Sequence, residues 1–304
     1  MSVFKNYLFF LISLFMISIN ANAETDTACK RNDSGEIVIN GSTDGQLVTD
    51  TSNNDGNACK EIPDFYKVKF YRFGLCKSDP ITNGNSLNSC TLFVNSDVGI
   101  DHIIEGVGSS SALDVSTADP NILPGTYSYL ILLVSNELAI KHSEKFSSSI
   151  TGKTGAGKNC WTIDSKTAFG GFRTSGMTIP QPGAGNRSSL AMDCGSTAGT
   201  AAFTTEVFDG LGDGSWTGQD LSDPSVALVR LLKNDNITAA TDENDGARML
   251  VSIPNSATVT IKSKFSITFK LTDAVSIDFA PDGGVIYALK NGADPFQITL
   301  SITE

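Results

Sequence analysis

The stretch Tyr127–Val134 reads YSYLILLV, and apolar side chains occupy both its odd and its even positions. Successive side chains of a β-strand point to opposite faces of the sheet. A strand that is apolar on both faces is therefore buried on both sides. The stretch predicts a central strand of a sheet that other parts of the chain cover on each face.

Strands of alternating polarity flank this segment in the sequence. In Phe65–Phe73 (FYKVKFYRF), one face carries Tyr66, Val68 and Phe70, and the opposite face carries Lys67, Lys69 and Tyr71. The same period of two runs through Lys264–Thr272, Val285–Leu289 and Phe296–Ile302. Clusters of glycine, asparagine, aspartate and serine bound these runs, and helical periodicity is nearly absent. The pattern predicts an all-β fold.

Residues 1–23 have the features of a secretory signal peptide. Lys5 precedes an apolar run of 12 residues, Leu8–Ile19, and the tripeptide Ala21-Asn22-Ala23 supplies a small-x-small cleavage pattern. A membrane-spanning helix needs about 20 apolar residues, so the run is short for an anchor, which is the alternative. We expect cleavage after Ala23, export to the extracellular space, cell surface or periplasm, and no membrane span in the mature chain.

All six cysteines follow this segment, and an even number in an exported protein predicts disulfides. No C-x-x-C motif is present, which argues against a zinc knuckle or a redox pair. Among the connectivities that six cysteines allow, we favour the sequential one, because each pair then brackets a stretch rich in glycine, asparagine or serine. The predicted pairs are Cys29–Cys59, Cys76–Cys90 and Cys160–Cys194.

A glycine-rich stretch, Thr151–Lys158 (TGKTGAGK), divides the chain and predicts a linker or a long turn. Residues 24–150 precede it and contain four of the cysteines, whereas residues 159–304 follow it and contain long loops. Short strands with turns between them are typical of β-sandwiches. We therefore predict two tandem antiparallel β-sandwich domains, Ig-like or Greek-key, that disulfides staple.

The segment Leu123-Pro124-Gly125-Thr126-Tyr127 leads directly into the apolar strand. It resembles the LPxGTY turn-to-strand step of many bacterial secreted β-sandwich proteins, among them surface and pilus-associated proteins. The stretch YKVKFYRFGLC is similar to strands of the same proteins. The resemblance implies a β-sandwich in which Tyr127 closes a corner by hydrogen bonding. It implies no functional residues.

The chain has 33 Asp and Glu against 22 Lys and Arg, a formal charge of −11 at pH 7, which excludes nucleic acid as the main partner. Its two histidines leave little material for metal sites or for histidine-based catalysis. Asp101 and His102 are adjacent on an expected strand, so they should project to opposite faces. No G-x-S-x-G motif places a nucleophile. We expect both His102 and His142 at the surface or in turns.

Loops rich in aspartate and glycine are the candidate calcium sites. Asp50–Glu61 (DTSNNDGNACKE) has oxygen-bearing side chains at alternate positions, but its glycine falls seventh, where a calcium loop needs it sixth. The alternative is that these residues make tight turns without a ligand. We predict no other cofactor. The candidate ligands are Asp50, Asn54, Asp55, Glu61, Asp209, Asp213, Asp242 and Asp245.

Two other motifs suggest ligands. Trp216, in GDGSWTG, is a candidate platform for sugar stacking, although tryptophans more often pack in cores or anchor loops. Gly152–Asn159 (GKTGAGKN) nearly matches a phosphate-binding loop. That motif needs a hydroxyl where Asn159 stands, and it needs a helix after it, so we reject a nucleotide site.

These observations favour an exported, non-enzymatic β-protein, such as a cell-surface, fibre or adhesion subunit. The alternatives are a secreted module that binds glycan or calcium and, less favoured, a secreted hydrolase. The expected partner is a cell-surface molecule or a second copy of the chain. Self-association would use strand addition by Phe296–Ile302, unless this segment is an ordinary last strand of its own domain.

Overall fold

The computed structural model describes residues 28–40, 46–47, 58–106, 111–113, 123–168, 190–208, 219–220, 227–241, 245–282, 284–293 and 296–303. The described residues contain strands and no helix, which confirms the all-β prediction. Among them, therefore, none forms a helix with the length and apolar character that a membrane crossing requires. The predicted signal peptide lies outside the described residues, as do Asp50, Asn54, Asp55, Asp209, Asp213, Trp216 and Asp242.

The strands of the described ranges are numbered in chain order. They are β1 (Ile39–Asn40), β2 (Gln46–Leu47), β3 (Ala58–Glu61), β4 (Phe65–Cys76), β5 (Cys90–Glu105), β6 (Ser111–Leu113), β7 (Gly125–Ser135), β8 (Glu137–Lys141), β9 (Ser143–Thr151) and β10 (Ala156–Thr162). They continue as β11 (Ser165–Ala168), β12 (Met192–Gly195), β13 (Thr204–Val207), β14 (Gln219–Asp220), β15 (Leu228–Leu232), β16 (Arg248–Val259), β17 (Lys264–Lys270), β18 (Val275–Asp282), β19 (Val285–Ala293) and β20 (Gln297–Thr303).

Within the described ranges these strands form four sheets. The large sheet contains β4, β5, β7, β8, β11 and β13–β16, and the second sheet contains β3, β9, β10, β12, β18 and β19. The small sheet contains β6, β17 and β20, and β1 pairs with β2. Each of the three larger sheets contains strands from both sides of residue 150, so the boundaries of these sheets differ from those of the predicted halves 24–150 and 159–304.

The stretch 151–158 forms the turn and the first part of the β9–β10 hairpin in the second sheet. Gly152 N–H donates to the Gly155 carbonyl (2.8 Å) across the turn. Of the two predictions for this stretch, a linker or a long turn, the turn is therefore correct. A strand follows it where a phosphate-binding loop needs a helix, which agrees with the rejection of a nucleotide site.

The apolar stretch quoted first lies in β7, which pairs with β4 on one side and β16 on the other. Leu130 and Leu132 face the main core, and Leu133 packs on the opposite side of the sheet. The prediction of a central strand that is covered on both faces is confirmed.

The small sheet covers the inner face of the large sheet and forms the main core with it. The rings of Phe70 and Phe269 have centroids 5.5 Å apart, and those of Tyr66 and Phe296 are 5.2 Å apart. Phe93 meets Phe265 at 4.7 Å in the same layer. Two sheets therefore pack face to face in a sandwich-like arrangement.

Disulfides lie in the large sheet and in the second sheet, and the predicted sequential pairing is confirmed. Cys76–Cys90 joins opposed residues of β4 and β5, Cys160–Cys194 joins opposed residues of β10 and β12, and Cys29–Cys59 ties the N-terminal segment to β3. All six cysteines are paired. Such bonds are typical of proteins in an oxidising compartment.

Tyr127 closes the corner at the start of β7. Its Oη donates a hydrogen bond to the Leu123 carbonyl (2.7 Å) and lies 2.9 Å from Thr91 Oγ1. The side chain is buried. The hydrogen bond that the Leu123–Tyr127 segment led us to expect is present.

Strand β20 covers most of the segment that we considered for strand addition. It pairs along its whole length with β17 of the same chain. Ile298 and Leu300 are buried in the main core. The segment is thus part of its own sandwich, as an ordinary last strand would be.

The substitution Leu300→Ala should lower the free energy of unfolding by about 2–5 kcal/mol, because it removes a buried side chain from the main core. Urea denaturation followed by circular dichroism measures this loss. The control Ser301→Ala lies on the other face of the same strand and should change stability by less than about 0.5 kcal/mol. Equal effects of the two substitutions would contradict this packing of β20.

Candidate functional site: a groove where the large sheet divides

The outer face of the large sheet, which points away from the main core, carries the polar side of β4. Lys67, Lys69 and Tyr71 lie there, while Tyr66, Val68 and Phe70 are buried in the main core. The alternation of the sequence therefore separates the two faces as predicted.

The segment 77–89 covers one part of this outer face. The Cys76–Cys90 disulfide closes its base, and Ile81 packs against Tyr71 and Leu133. Ser252 Oγ donates to Asp79 Oδ1 (2.8 Å), and Arg230 Nη1 donates to the Ile81 carbonyl (3.1 Å). These bonds hold the segment on the sheet, and among the described residues the neighbouring part of the outer face remains open.

The open part lies where the strand β7–β8 changes its neighbour. β7 pairs with β16, whereas β8 pairs with β13, and Asn136 is the single residue between β7 and β8. Asn136 N–H donates to the Ala247 carbonyl (3.2 Å), and its own carbonyl accepts from Phe208 N–H (2.8 Å). Its side-chain Nδ2 donates to the Phe208 and Gly246 carbonyls (2.9 and 3.1 Å). The buried amide thus joins the residue after β13 to the segment before β16.

A groove of about 480 Å³ lies where the strand β7–β8 changes its neighbour. Its volume falls within the range of small-molecule sites, about 300–1,000 Å³. Most of the side chains that line it are polar or charged. The lining residues are Lys67, Lys69, Tyr71, Asp101, Ser135, Asn136, Glu137, Ala139, Thr205, Val207, Gly246, Ala247 and Arg248.

Arg248 forms one wall of the groove and is 8 % exposed. Its guanidinium carbon lies 3.3 Å from the centroid of the Tyr71 ring. Nε donates to Asn236 Oδ1 and Nη2 donates to Asn234 Oδ1, both at 2.8 Å. Stacking and amide hydrogen bonds therefore hold the guanidinium in one orientation.

Glu61, a predicted calcium ligand, lies instead in a partly buried group of titratable side chains at the start of β9. We call this group, Arg31, Glu61, His142 and Glu144, the junction cluster. Arg31 Nη2 is 3.0 Å from Glu61 Oε1 and 2.8 Å from Glu144 Oε1. His142 Nε2 is also 2.8 Å from Glu144 Oε1, although the two atoms are poorly aligned for a hydrogen bond. Glu61 thus has a structural partner in Arg31.

The two carboxylates of the junction cluster have pKa values that move in opposite directions. Burial raises the pKa of Glu61, and the Arg31 hydrogen bond only partly offsets it. Burial also acts to raise the pKa of Glu144, but contacts with His142 and Arg31 outweigh it, so that this pKa lies below its ordinary value. The fold therefore favours the charged form of Glu144 and disfavours that of Glu61.

Asp245 is the other predicted calcium ligand that the structure describes. Its Oδ2 is 2.6 Å from Lys233 Nζ, and its carboxylate accepts hydrogen bonds from Thr241 N–H and Thr241 Oγ1. These contacts stabilise a turn, and a turn without a ligand is the alternative to calcium binding for such a loop. Within the described ranges, no three His, Cys, Asp or Glu side chains are grouped so that they could hold a metal ion.

The prediction that both histidines lie at the surface or in turns is wrong for His142, which is buried, whereas His102 is partly exposed on β5. His142 is 3 % exposed at the junction of β8 and β9, and the half-buried His102 ring lies 5.2 Å from the Phe269 ring on the inner face. Burial lowers the pKa of His102. Asp101 lies on the opposite, outer face in the groove, so the predicted separation of Asp101 and His102 is confirmed.

No sequence pattern predicted the residues that shape the groove, above all Asn136 and Arg248. Asn136 bonds to carbonyls 72 and 110 residues further along the chain, so no local motif marks it. The polar face of β4 was the signal that could have located the groove. Comparison with protein-family models, with curated proteins and with solved structures finds no match for this chain.

The substitution Glu144→Gln should lower the free energy of unfolding at pH 7 by about 1–3 kcal/mol, because it removes a buried charge with two partners. A lowered pKa contributes stability above the ordinary value of 4.5, and this contribution is lost as the pH falls through the lowered pKa. The free energies of unfolding of the unchanged protein and of Glu144→Gln should therefore converge as the pH falls below 4.5.

The matched variant Glu61→Gln should cause no loss at pH 7, or a small gain. Its raised pKa contributes stability below 4.5 that is lost as the pH rises through the folded-state value. Equal destabilisation by the two variants at pH 7 would contradict the opposite pKa shifts.

The substitution Asn136→Ala should lower the free energy of unfolding by about 2–4 kcal/mol, because it leaves the Phe208 and Gly246 carbonyls without their side-chain donor. Thermal and urea denaturation measure the loss. Asn88→Ala, at an exposed position of the segment 77–89, is the control and should change stability by less than about 0.5 kcal/mol. A similarly small effect at Asn136 would show that its amide does not hold the strands together.

Proposed function

We propose that the protein is an exported, non-enzymatic cell-surface or fibre subunit that acts in adhesion and binds a glycan in the groove. The observation that carries the proposal is the groove itself, an open polar cavity of about 480 Å³ on the outer face of the large sheet. The predicted signal peptide, the disulfides and the resemblance of Leu123–Tyr127 to secreted surface proteins support export and a place at the surface.

The lining of the groove suits a ligand with many hydroxyl groups. Ser135, Thr205 and Tyr71 offer hydroxyls that donate and accept, and Asp101 and Glu137 offer carboxylates that accept from sugar hydroxyls. A polar lining of this kind favours a sugar over an apolar ligand, since burying these groups without partners costs free energy. These features support the glycan-binding role.

The position of the groove supports binding in preference to hydrolysis. It lies on strands of the large sheet, and one of them, β4, is disulfide-bonded to β5. Asp101 and Glu137 are each near a lysine, at 3.6 Å from Lys69 and 2.6 Å from Lys166. Both carboxylates of the groove thus form ion pairs, which favours a role in binding over the paired carboxyls of a glycosidase.

The substitution Thr205→Trp should abolish glycan binding by filling the groove. The measurement is binding of the immobilised mature protein to a panel of neutral and acidic oligosaccharides. For any glycan that the unchanged protein binds, the affinity of this variant should be at least tenfold lower. Thr197→Trp, at an exposed position away from the groove, is the control and should bind as the unchanged protein does.

Two outcomes would overturn the proposal. If the protein retains no glycan of the panel, the proposal that it binds a glycan is wrong. Retention that is equal in Thr205→Trp and in the unchanged protein would place the binding site elsewhere. Circular dichroism of each variant shows that a loss of binding is not a loss of fold.

A further inference from the structure

The groove is locally positive on an acidic protein. Lys67, Lys69 and Arg248 line it, and Lys166 reaches Glu137 at its edge. These four cations outnumber the two carboxylates described at the groove, Asp101 and Glu137, whereas the whole chain has a charge of −11. A local excess of positive charge on such a surface draws anions to this one place.

Arg248 is the strongest attractor in the groove, because it is buried and has no anionic partner among the described residues. Its hydrogen-bond partners, Asn234 and Asn236, are neutral amides, and its guanidinium lies over the face of Tyr71. A buried charge without a counter-ion is costly. An anion in the groove would neutralise it.

Lys67 and Lys69 extend this positive charge along β4. They lie on the same face of the strand, about 7 Å apart by strand geometry. Lys67 Nζ lies over the Phe203 ring at 4.9 Å, and Lys69 Nζ is 3.6 Å from Asp101, a carboxylate that is 60 % exposed. An exposed pair at this distance is weak, so the Lys69 ammonium group is available to a ligand. The contact of Lys67 with an aromatic ring leaves its positive charge without an anionic partner.

The groove thus combines a cationic strip with hydroxyl and carboxylate groups that suit sugar hydroxyls. A small inorganic anion would contact the cations but leave most of the 480 Å³ unfilled. A neutral sugar would fill the volume but leave Arg248 without a counter-ion. We propose that the groove binds an acidic sugar, with its ring carboxylate between Arg248 and the two lysines. This inference rests on the proposed glycan-binding function and narrows its ligand class.

Two kinds of sugar share this chemistry, the sialic acids and the hexuronic acids. The test uses isothermal titration calorimetry with sialyllactose and with trigalacturonate, each beside its neutral counterpart, lactose and methyl-esterified trigalacturonate. We expect one acidic sugar to bind at least tenfold more tightly than its neutral counterpart. Its affinity should fall as salt is raised, because the contacts are ionic.

The variant Lys67→Gln/Lys69→Gln tests the placement of the carboxylate. Both side chains lie at the surface of the groove, so the fold should persist, and the affinity for the acidic sugar should fall at least tenfold. Lys262→Gln, at an exposed turn between β16 and β17, removes one charge elsewhere and should leave binding unchanged.

The outcomes separate the inference from the proposed function. Equal binding of neutral and acidic sugars that Thr205→Trp abolishes would overturn the acidic ligand and keep the glycan site. An acidic preference that survives in Lys67→Gln/Lys69→Gln would also overturn the inference, because the carboxylate would lie elsewhere. No binding by any of these sugars would overturn the inference, whereas the wider oligosaccharide panel decides the proposed function.

Discussion

The change of neighbour along the strand β7–β8 is the constraint on which the large sheet depends. A buried strand must satisfy its backbone N–H and C=O groups, and at Asn136 the neighbouring strand changes from β16 to β13. The Asn136 backbone and side-chain amide form hydrogen bonds with the residues next to both strand ends, Phe208, Gly246 and Ala247. The groove lies at this change of neighbour.

The same extended run continues through His142 into β9 and so connects the large sheet to the second sheet. The junction cluster lies at this passage, where Arg31 joins Glu61 and Glu144. Because the buried Glu144 carboxylate needs a partner, its contact with Arg31 ties the N-terminal segment to the start of β9. The Cys29–Cys59 disulfide ties the same segment covalently, so the two restraints act together.

The two faces of β4 connect the fold to the proposed function. Tyr66, Val68 and Phe70 build the main core, and on the reverse of the same strand Lys67 and Lys69 line the groove. A ligand that contacts this strand meets a surface that core packing and the Cys76–Cys90 disulfide already hold in place. Little conformational entropy need be lost on binding, which favours an adhesion role over one that requires closure.

The sequence by itself determined the strand pattern, the two faces of β4, the doubly buried β7, the corner at Tyr127 and the three disulfides. Each depends on a period of two, a local turn or an ordered pairing of cysteines, all of which are visible over short distances in the chain. The shared sheets, the groove and the junction cluster were decided only by the tertiary structure. Asn136 bonds to a carbonyl 110 residues away, Glu144 accepts from Arg31 across 113 residues, and Arg248 stacks on Tyr71 of another strand. No local pattern records those contacts.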